Sequence, residues 1–404
     1  MRRTTVWMVA MCYYLSQILG IMPFCYDYGK GEIYTSTSVT VYSAVLSMTW
    51  FGLIPMMLRI DFHSPNSISH DLHLKISAVI CLVRFTAVLA SVISQWFKRG
   101  QLMATLNKFH HIREQFVSKW PLHTKVEQNL EHAIRSKFLW GFVANVGLFL
   151  GSTEFLRVEL KLQNPWEFVL LAIMCNILNM VILHFYFCVI HVNALLEAIN
   201  NEVKQILRDS KNLCHLRRLG YIPTAALERK SALLAENLYE LANIQLELQR
   251  LTYRLNDVYD VQCACTMLTM YMNNVAVFYI FYMVMQHAYM LKVYGLDTFV
   301  LMLISLTFYY MDLKVFMDSL WNYIGHVEET GEILKQLQPC MLTKYRKLEE
   351  SFKNFSLQLA KFPVEMKLVG LFKFDRSMAF SIFGSTISNA IVLIQYDYKN
   401  NSDE

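Results

Sequence analysis

SMAFSIFGSTISNAIVLIQYD, residues 377–397, is an apolar run long enough to cross a bilayer as one helix. It carries polar groups that a plain membrane anchor does not need. Asn389 lies in its middle, Gln395 near its end, and Tyr396 and Asp397 follow. Steps of three and four place Ser381, Ser385, Ser388 and Gln395 roughly on one helical face, with Ile391 between them. A polar stripe in lipid needs partners that also avoid lipid. One helix cannot enclose a pore, so a ring of copies from several subunits is the natural construction. Such a ring presents Ile391 as an apolar constriction and Gln395 as a polar collar. Asp397 then adds carboxylates at the outer mouth, which favours cations. Tight helix packing through small residues is the competing reading of the same stripe.

The rest of the chain has the same character. Hydrophobic residues make up 55% of 404 and charged residues 17%, against about 25% in soluble domains. Six further apolar runs fall at 37–58, 74–97, 138–156, 166–192, 261–286 and 297–317. Backbone groups in lipid must bond internally, and the ten-residue alternation of a membrane barrel is absent. The expected fold is all-α, a polytopic membrane protein with seven transmembrane helices. Loops 98–137, 193–260 and 321–376 hold eight, nine and nine Lys or Arg, and the alternate loops and tail hold five together. The positive-inside rule makes the basic loops cytosolic, the N-terminus cytosolic and the C-terminus extracellular. The segment 4–24, broken by Gln17, Gly20 and Pro23, reads as interfacial or re-entrant on the cytosolic side. The partition that follows is a cytosolic or interfacial segment 1–36, four spans in 37–192 and a helical cytosolic region 193–260. Two spans in 261–317, a helical cytosolic loop 318–376, the last span 377–397 and an extracellular tail 398–404 complete it.

Enzyme signatures are absent: no HExxH, GxSxG or GxxxxGK[ST] occurs, and Cys263 and Cys265 lack partners at metal-ligand spacing. The chain therefore reads as a non-enzyme without cofactor, metal or nucleic-acid partner. With outer loops this short, an external ligand must bind between the spans or at their outer ends. Polar groups inside spans face a bundle interior or a cavity. Arg84 sits mid-way along the second span. Asn176 and Asn179, three apart on one face, share the outer level with Trp166, Tyr282, Gln286, Tyr309 and Tyr310. Aromatic walls with a few amides suit a small molecule. In the second inner loop Leu227, Leu234, Leu241, Leu248 and Leu255 recur every seven residues, in a helix that Thr224 can cap. That seam fits contact between subunits or packing within the chain.

GLFKFDRSMAFSIFGSTISNAIVLIQY, residues 370–396, resembles the C-terminal signature of insect gustatory receptors, the wider group that includes the odorant receptors. The family pattern is Gly-Leu-Phe-x-x-Asp, then Thr-Tyr, five hydrophobic residues and Gln-Phe. Gly370, Leu371, Phe372 and Asp375 match its first part, Ala390 to Ile394 supply the five hydrophobics, and Gln395 matches the Gln. Ser388, Asn389 and Tyr396 depart from Thr, Tyr and Phe, and Asn389 is the largest departure. YYLSQILGIMPF near the N-terminus is similar to the family's Leu-Gly-x-x-Pro stretch. The resemblance implies a ligand-gated, non-selective cation channel of four subunits, alike or related, in the plasma membrane of sensory neurons. It places Gln395 and Tyr396 near the gate, the tastant pocket among the second to sixth helices, and the subunit anchor in the cytosolic helices with the leucine heptads. Mostly aromatic and amide pocket residues lean toward bitter or aversive tastants. A G-protein-coupled receptor needs the opposite loop-charge bias, and a secondary transporter an internal repeat with paired broken helices.

Overall fold

The computed structural model describes residues 3–27, 29, 31–57, 68–159, 165–219, 223–286, 296–336, 346–364, 366–368, 372–373 and 376–402. Helices dominate it. In chain order they are α1 Arg3–Ile18, α2 Thr37–Met57, α3 Ile68–Lys119, α4 Thr124–Glu159, α5 Pro165–Arg218, α6 Thr224–Gln286, α7 Leu296–Lys335, α8 Arg346–Lys361 and α9 Arg376–Ser402. Two short hairpins interrupt them: β1 Cys25–Asp27 with β2 Glu32–Tyr34, and β3 Lys367–Leu368 with β4 Phe372–Lys373. The seven apolar runs fall on α2 to α7 and α9. Among the described residues, Ala78–Lys119, Asn176–Leu216 and Thr224–Gln286 are long and apolar enough to cross a membrane.

Length separates this fold from a bare bundle of spans. At 1.5 Å per residue the 63 residues of α6 reach about 95 Å, three times the hydrocarbon thickness. Helices α3, α5, α6 and α7 run on from their apolar halves into basic, amphipathic halves. Pro121 follows the end of α3, and Pro165 opens α5 at the position where a missing N–H costs least.

Ion pairs zip α3 to α6 in antiparallel order: Lys98 with Asp257, Lys108 with Glu247, and Lys119 with Glu240. Amides tie α5 to α7 at a seven-residue step. The Asn193 amide donates to the Ser319 carbonyl at 2.7 Å and the Asn200 amide to the His326 carbonyl at 2.8 Å. Thr330 donates to Asn200 Oδ1 at 2.5 Å and accepts from the Gln245 amide of α6 at 3.1 Å.

The leucine seam lies inside this bundle. Leu227, Leu234, Leu241, Leu248 and Leu255 are all buried, and they belong to one core shared with α3, α5, α7 and the Leu348, Phe352 and Phe355 face of α8. The expectation that these leucines anchor one subunit to another is therefore corrected. A heptad seam needs an apolar partner, and the chain supplies it itself.

Helix α1 packs against α4 and α5. Ser16 Oγ lies 2.6 Å from His184 Nε2, and Arg135 reaches the Thr5 hydroxyl at 3.4 Å. Its outer side leaves Trp7 and Ile18 exposed. Gly20 ends α1 in the left-handed region at φ 72°, where the Ile21 amide bonds back to the Ser16 carbonyl at 2.9 Å. Hairpin β1–β2 then docks on the basic half of α3. Asn107 donates to the Ile33 carbonyl at 2.9 Å and accepts from the Ile33 amide at 2.8 Å.

Candidate functional site

A cavity of about 440 Å³ opens between α1, α4, α5, α6 and α7. Its walls are apolar: Phe138, Phe142, Met180, Leu183, Met267 and Phe316 lie among them. Its polar groups converge from three helices. The Asn179 amide donates to Asn145 Oδ1, and Asn176 and Tyr309 also line the space. At one end the Lys137 ammonium donates to Asp312 Oδ2 at 2.7 Å and lies 5.4 Å from the centre of the Tyr186 ring. Lys137 is almost wholly buried, with its side chain 4% exposed. A buried ammonium is tolerated only beside an opposite charge, and Asp312 supplies one.

Close helix contact shapes the cavity's outer flank. A Cβ on Gly147 of α4 would meet Ser305 Oγ of α7 at 3.0 Å, so the glycine lets α4 and α7 approach. A site of this volume, with apolar walls and a few fixed polar groups, suits an uncharged small molecule with hydrogen-bonding ends.

Of the pocket residues expected from sequence, the cavity gathers Asn176, Asn179 and Tyr309. Tyr310 turns toward α6, where its hydroxyl donates to Asn274 Oδ1 at 2.7 Å. Tyr282 packs beside Tyr279 and Met283 in a small cluster that Leu393 and Ile394 of α9 complete, and Gln286 is its hydrogen-bond partner. Tyr282 and Gln286 lie twelve and sixteen residues past Met270, the last α6 residue of the lining, about 18 and 24 Å further along the helix, so they do not sit at the level of the cavity. Arg84 is outside the lining and lies within electrostatic reach of Tyr309. The Trp166 side chain lies outside the described residues. Sequence reading did not single out Lys137, which looked like one more basic loop residue, or the α1 wall of Met11, Cys12 and Leu15. An aspartate inside an apolar run was the available signal for the pair.

The second feature is α9. Thr386, Ala390 and Asp397 are buried against the rest of the chain, with Leu393 and Ile394 half-buried beside them. At 100° per residue these positions cluster on one face, and Ser381, Ser388, Ile391 and Gln395, with Gly384, centre about 155° away, all exposed. Ser385, expected in the same stripe, turns instead toward α6, its hydroxyl 3.1 Å from that of Tyr271. The stripe is therefore the face that a single chain leaves uncovered. Tyr396 is exposed on its flank.

Asp397 does not share that stripe, which corrects the expectation of carboxylates facing the outer mouth. It is buried, and the Tyr279 hydroxyl of α6 donates to Oδ1 at 3.3 Å. Asn389, the departure from the Tyr of the pattern, also turns to α6. Its amide donates to the Tyr271 hydroxyl at 2.5 Å and to the Ser385 carbonyl at 2.9 Å.

The sequence matches the 7tm Chemosensory receptor family over residues 9–400. The chain belongs to that family. The receptor is 26% identical over 399 residues to the putative gustatory receptor 36c of Drosophila melanogaster, covering 96% of this chain and 97% of that protein. The putative gustatory receptor 36a of the same insect is 25% identical over 411 residues, with the same shares covered. Its gustatory receptor for bitter taste 22e is 22% identical over 407 residues, covering 96% and 94%. The receptor's fold is similar to the olfactory receptor OR5 of Machilis hrabei in complex with eugenol. The TM-score is 0.64 at 13% identity, over 96% of this chain and 98% of that one.

Proposed function

We propose that this receptor is one subunit of a ligand-gated, non-selective cation channel that detects small-molecule tastants at the surface of chemosensory neurons. The carrying observation is α9, whose polar stripe lies opposite its packed face and is exposed in the single chain. Four copies, alike or related, would bring the stripes together around an axis. Gly384 and Ser388 would wet the wall, Ile391 would narrow it and Gln395 would collar it, with Tyr396 beside the gate.

In this reading α2 to α7 and α9 span the membrane, with residues 1–36 cytosolic or interfacial and the tail 398–404 outside. The cytosolic halves 193–260 and 318–376 form the anchor through faces other than the leucine seam, which is buried within the chain. The tastant occupies the cavity of α4 to α7, where Asn145, Asn176, Asn179 and Tyr309 bind its polar ends. Apolar and amide walls favour bitter or aversive compounds over sugars, and a relative named for bitter taste supports that lean.

The test is whole-cell recording against a tastant panel, with the receptor expressed alone and with related subunits. A tastant-evoked cation current whose relative permeabilities change in Gln395→Ala supports the proposal. A current indifferent to both Gln395→Ala and Ile391→Ala would place the ion path elsewhere.

A further inference from the structure

A second cavity of about 390 Å³ lies between α6 and the segment that follows α8. Its floor is buried and polar: Thr252, Tyr323 and Gln249 are each less than a tenth exposed. Both Gln249 amide atoms, Oε1 and Nε2, are buried without a hydrogen-bond partner among the described residues. The Thr252 hydroxyl donates to the Leu248 carbonyl at 2.8 Å and the Tyr323 hydroxyl bonds to Thr252, so these two retain acceptor capacity while Gln249 is wholly open. An unsatisfied buried carboxamide costs stability and points to a guest.

The rim is cationic. Arg250, Arg254 and Lys361 all line the cavity. Phe362 props two of them, with the Arg250 guanidinium 5.9 Å and the Lys361 ammonium 5.8 Å from its ring centre. Arg250 also pairs with Glu247 at 2.9 Å, whereas Arg254 and Lys361 make no ion pair among the described residues.

Position adds the rest. On the topology proposed above, the polar α6 lining runs from Asn256, five residues beyond the span, through Arg254 to Gln249, twelve residues beyond, about 8 to 18 Å past the inner edge of the hydrocarbon. Its near end is at the depth of lipid headgroups, and basic pockets there attract phosphorylated ones. The cavity also touches the connection to α9: Val364 and Met366 line it, and the Asn256 amide holds the Lys367 carbonyl at 2.8 Å.

We propose that this cavity binds a phosphorylated polyol of the inositol phosphate class, its phosphates on Arg254, Lys361 and Arg250 and its ring hydroxyls on Gln249, Thr252 and Tyr323. The guest reaches the site either as the headgroup of an inner-leaflet lipid or as free inositol phosphate. Occupied, the site ties α6 to the strand leading into α9.

The experiment measures binding, not current, so its failure is distinct from failure of the channel reading. Full-length receptor in nanodiscs is titrated with fluorescent short-chain phosphatidylinositol 4,5-bisphosphate, and separately with inositol 1,4,5-trisphosphate and ATP as competitors. Arg254→Gln with Lys361→Gln should weaken binding at least tenfold, and Gln249→Leu should weaken it without changing charge. Lys347→Gln with Lys353→Gln, on the exposed side of α8, should change it less than twofold. Competition by the soluble trisphosphate at equal affinity assigns the free form. Retention of the lipid against it assigns the membrane source. Equal loss in both lysine-bearing pairs, no binding, or displacement by ATP as strong as by the trisphosphate would overturn the proposal.

Discussion

The Tyr279 hydroxyl of α6 lies 3.3 Å from Asp397 Oδ1 of α9, with both residues buried. This contact turns the last acidic side chain of the apolar run inward and helps set the rotation of α9. That rotation sends Ser388, Ile391 and Gln395 to the open side. Tyr279→Phe removes one donor from a buried carboxylate, at a cost of about 1.5 kcal/mol for so long a bond. The expected outcome is a lower melting temperature in detergent, with Tyr282→Phe, on a half-buried side chain, shifting it less. Equal shifts would mean the contact has no special weight.

The Lys137–Asp312 pair closes one end of the cavity between α4 and α7. Lys137→Met leaves Asp312 poorly compensated and should cost about 3–5 kcal/mol. Lys137→Met with Asp312→Leu should recover most of that loss, because an apolar pair replaces two desolvated charges. Thermal unfolding of the purified single and double variants checks this. A double variant no better than the single one would show that the charges are not coupled.

The leucine seam makes a contrasting prediction. Leu241 and Leu248 are fully buried, and either changed to Ala should cost about 2–5 kcal/mol. Leu233 is 55% exposed on the same helix, and Leu233→Ala should stay within about 0.5 kcal/mol. Fluorescence-detected size exclusion after heating reports each. If dilution to single subunits abolished the Leu241→Ala effect, the seam would belong to assembly after all.

Acid should loosen the bundle of basic, amphipathic helix halves through two carboxylates. The Lys108 ammonium bonded to Glu247 holds its carboxyl below the usual 4.5, with Arg250 adding to the effect. Burial raises that of Glu329, but Lys204, Asn200 and His326 outweigh it and the net direction is down. A lowered folded value means the stabilisation is complete above about pH 4.5 and is lost as pH falls through the folded value. Melting temperatures from pH 3 to 6 should therefore show wild type above Glu247→Gln and Glu329→Gln at pH 6, with the curves converging at the acid end. Parallel curves would contradict it.

Much of this was legible in the residues. Apolar runs gave the helices, because backbone groups in lipid must bond internally. Spacing placed Ser381, Ser388, Ile391 and Gln395 on one exposed side of α9 but not Ser385, which meets Tyr271 of α6. Which face of α6 meets which neighbour was not. Tyr282 lies about 18 Å along α6 from the cavity and packs beside Leu393 and Ile394 of α9. Lys137 looked like a solvated loop cation because its partner Asp312 lies 175 positions away. Asp397 and Asn389 both meet α6 tyrosines, a pairing no local pattern encodes.

The central claim is that the exposed stripe of α9 faces the stripes of other copies. Ile391→Cys and Ala390→Cys, expressed separately and oxidised in intact membranes, test it most directly. Ile391 is 46% exposed and Ala390 is 3% exposed on adjacent positions. The account predicts covalent multimers from Ile391→Cys above the wild-type background and none from Ala390→Cys. Equal cross-linking at the two positions, or none at Ile391→Cys, would contradict it.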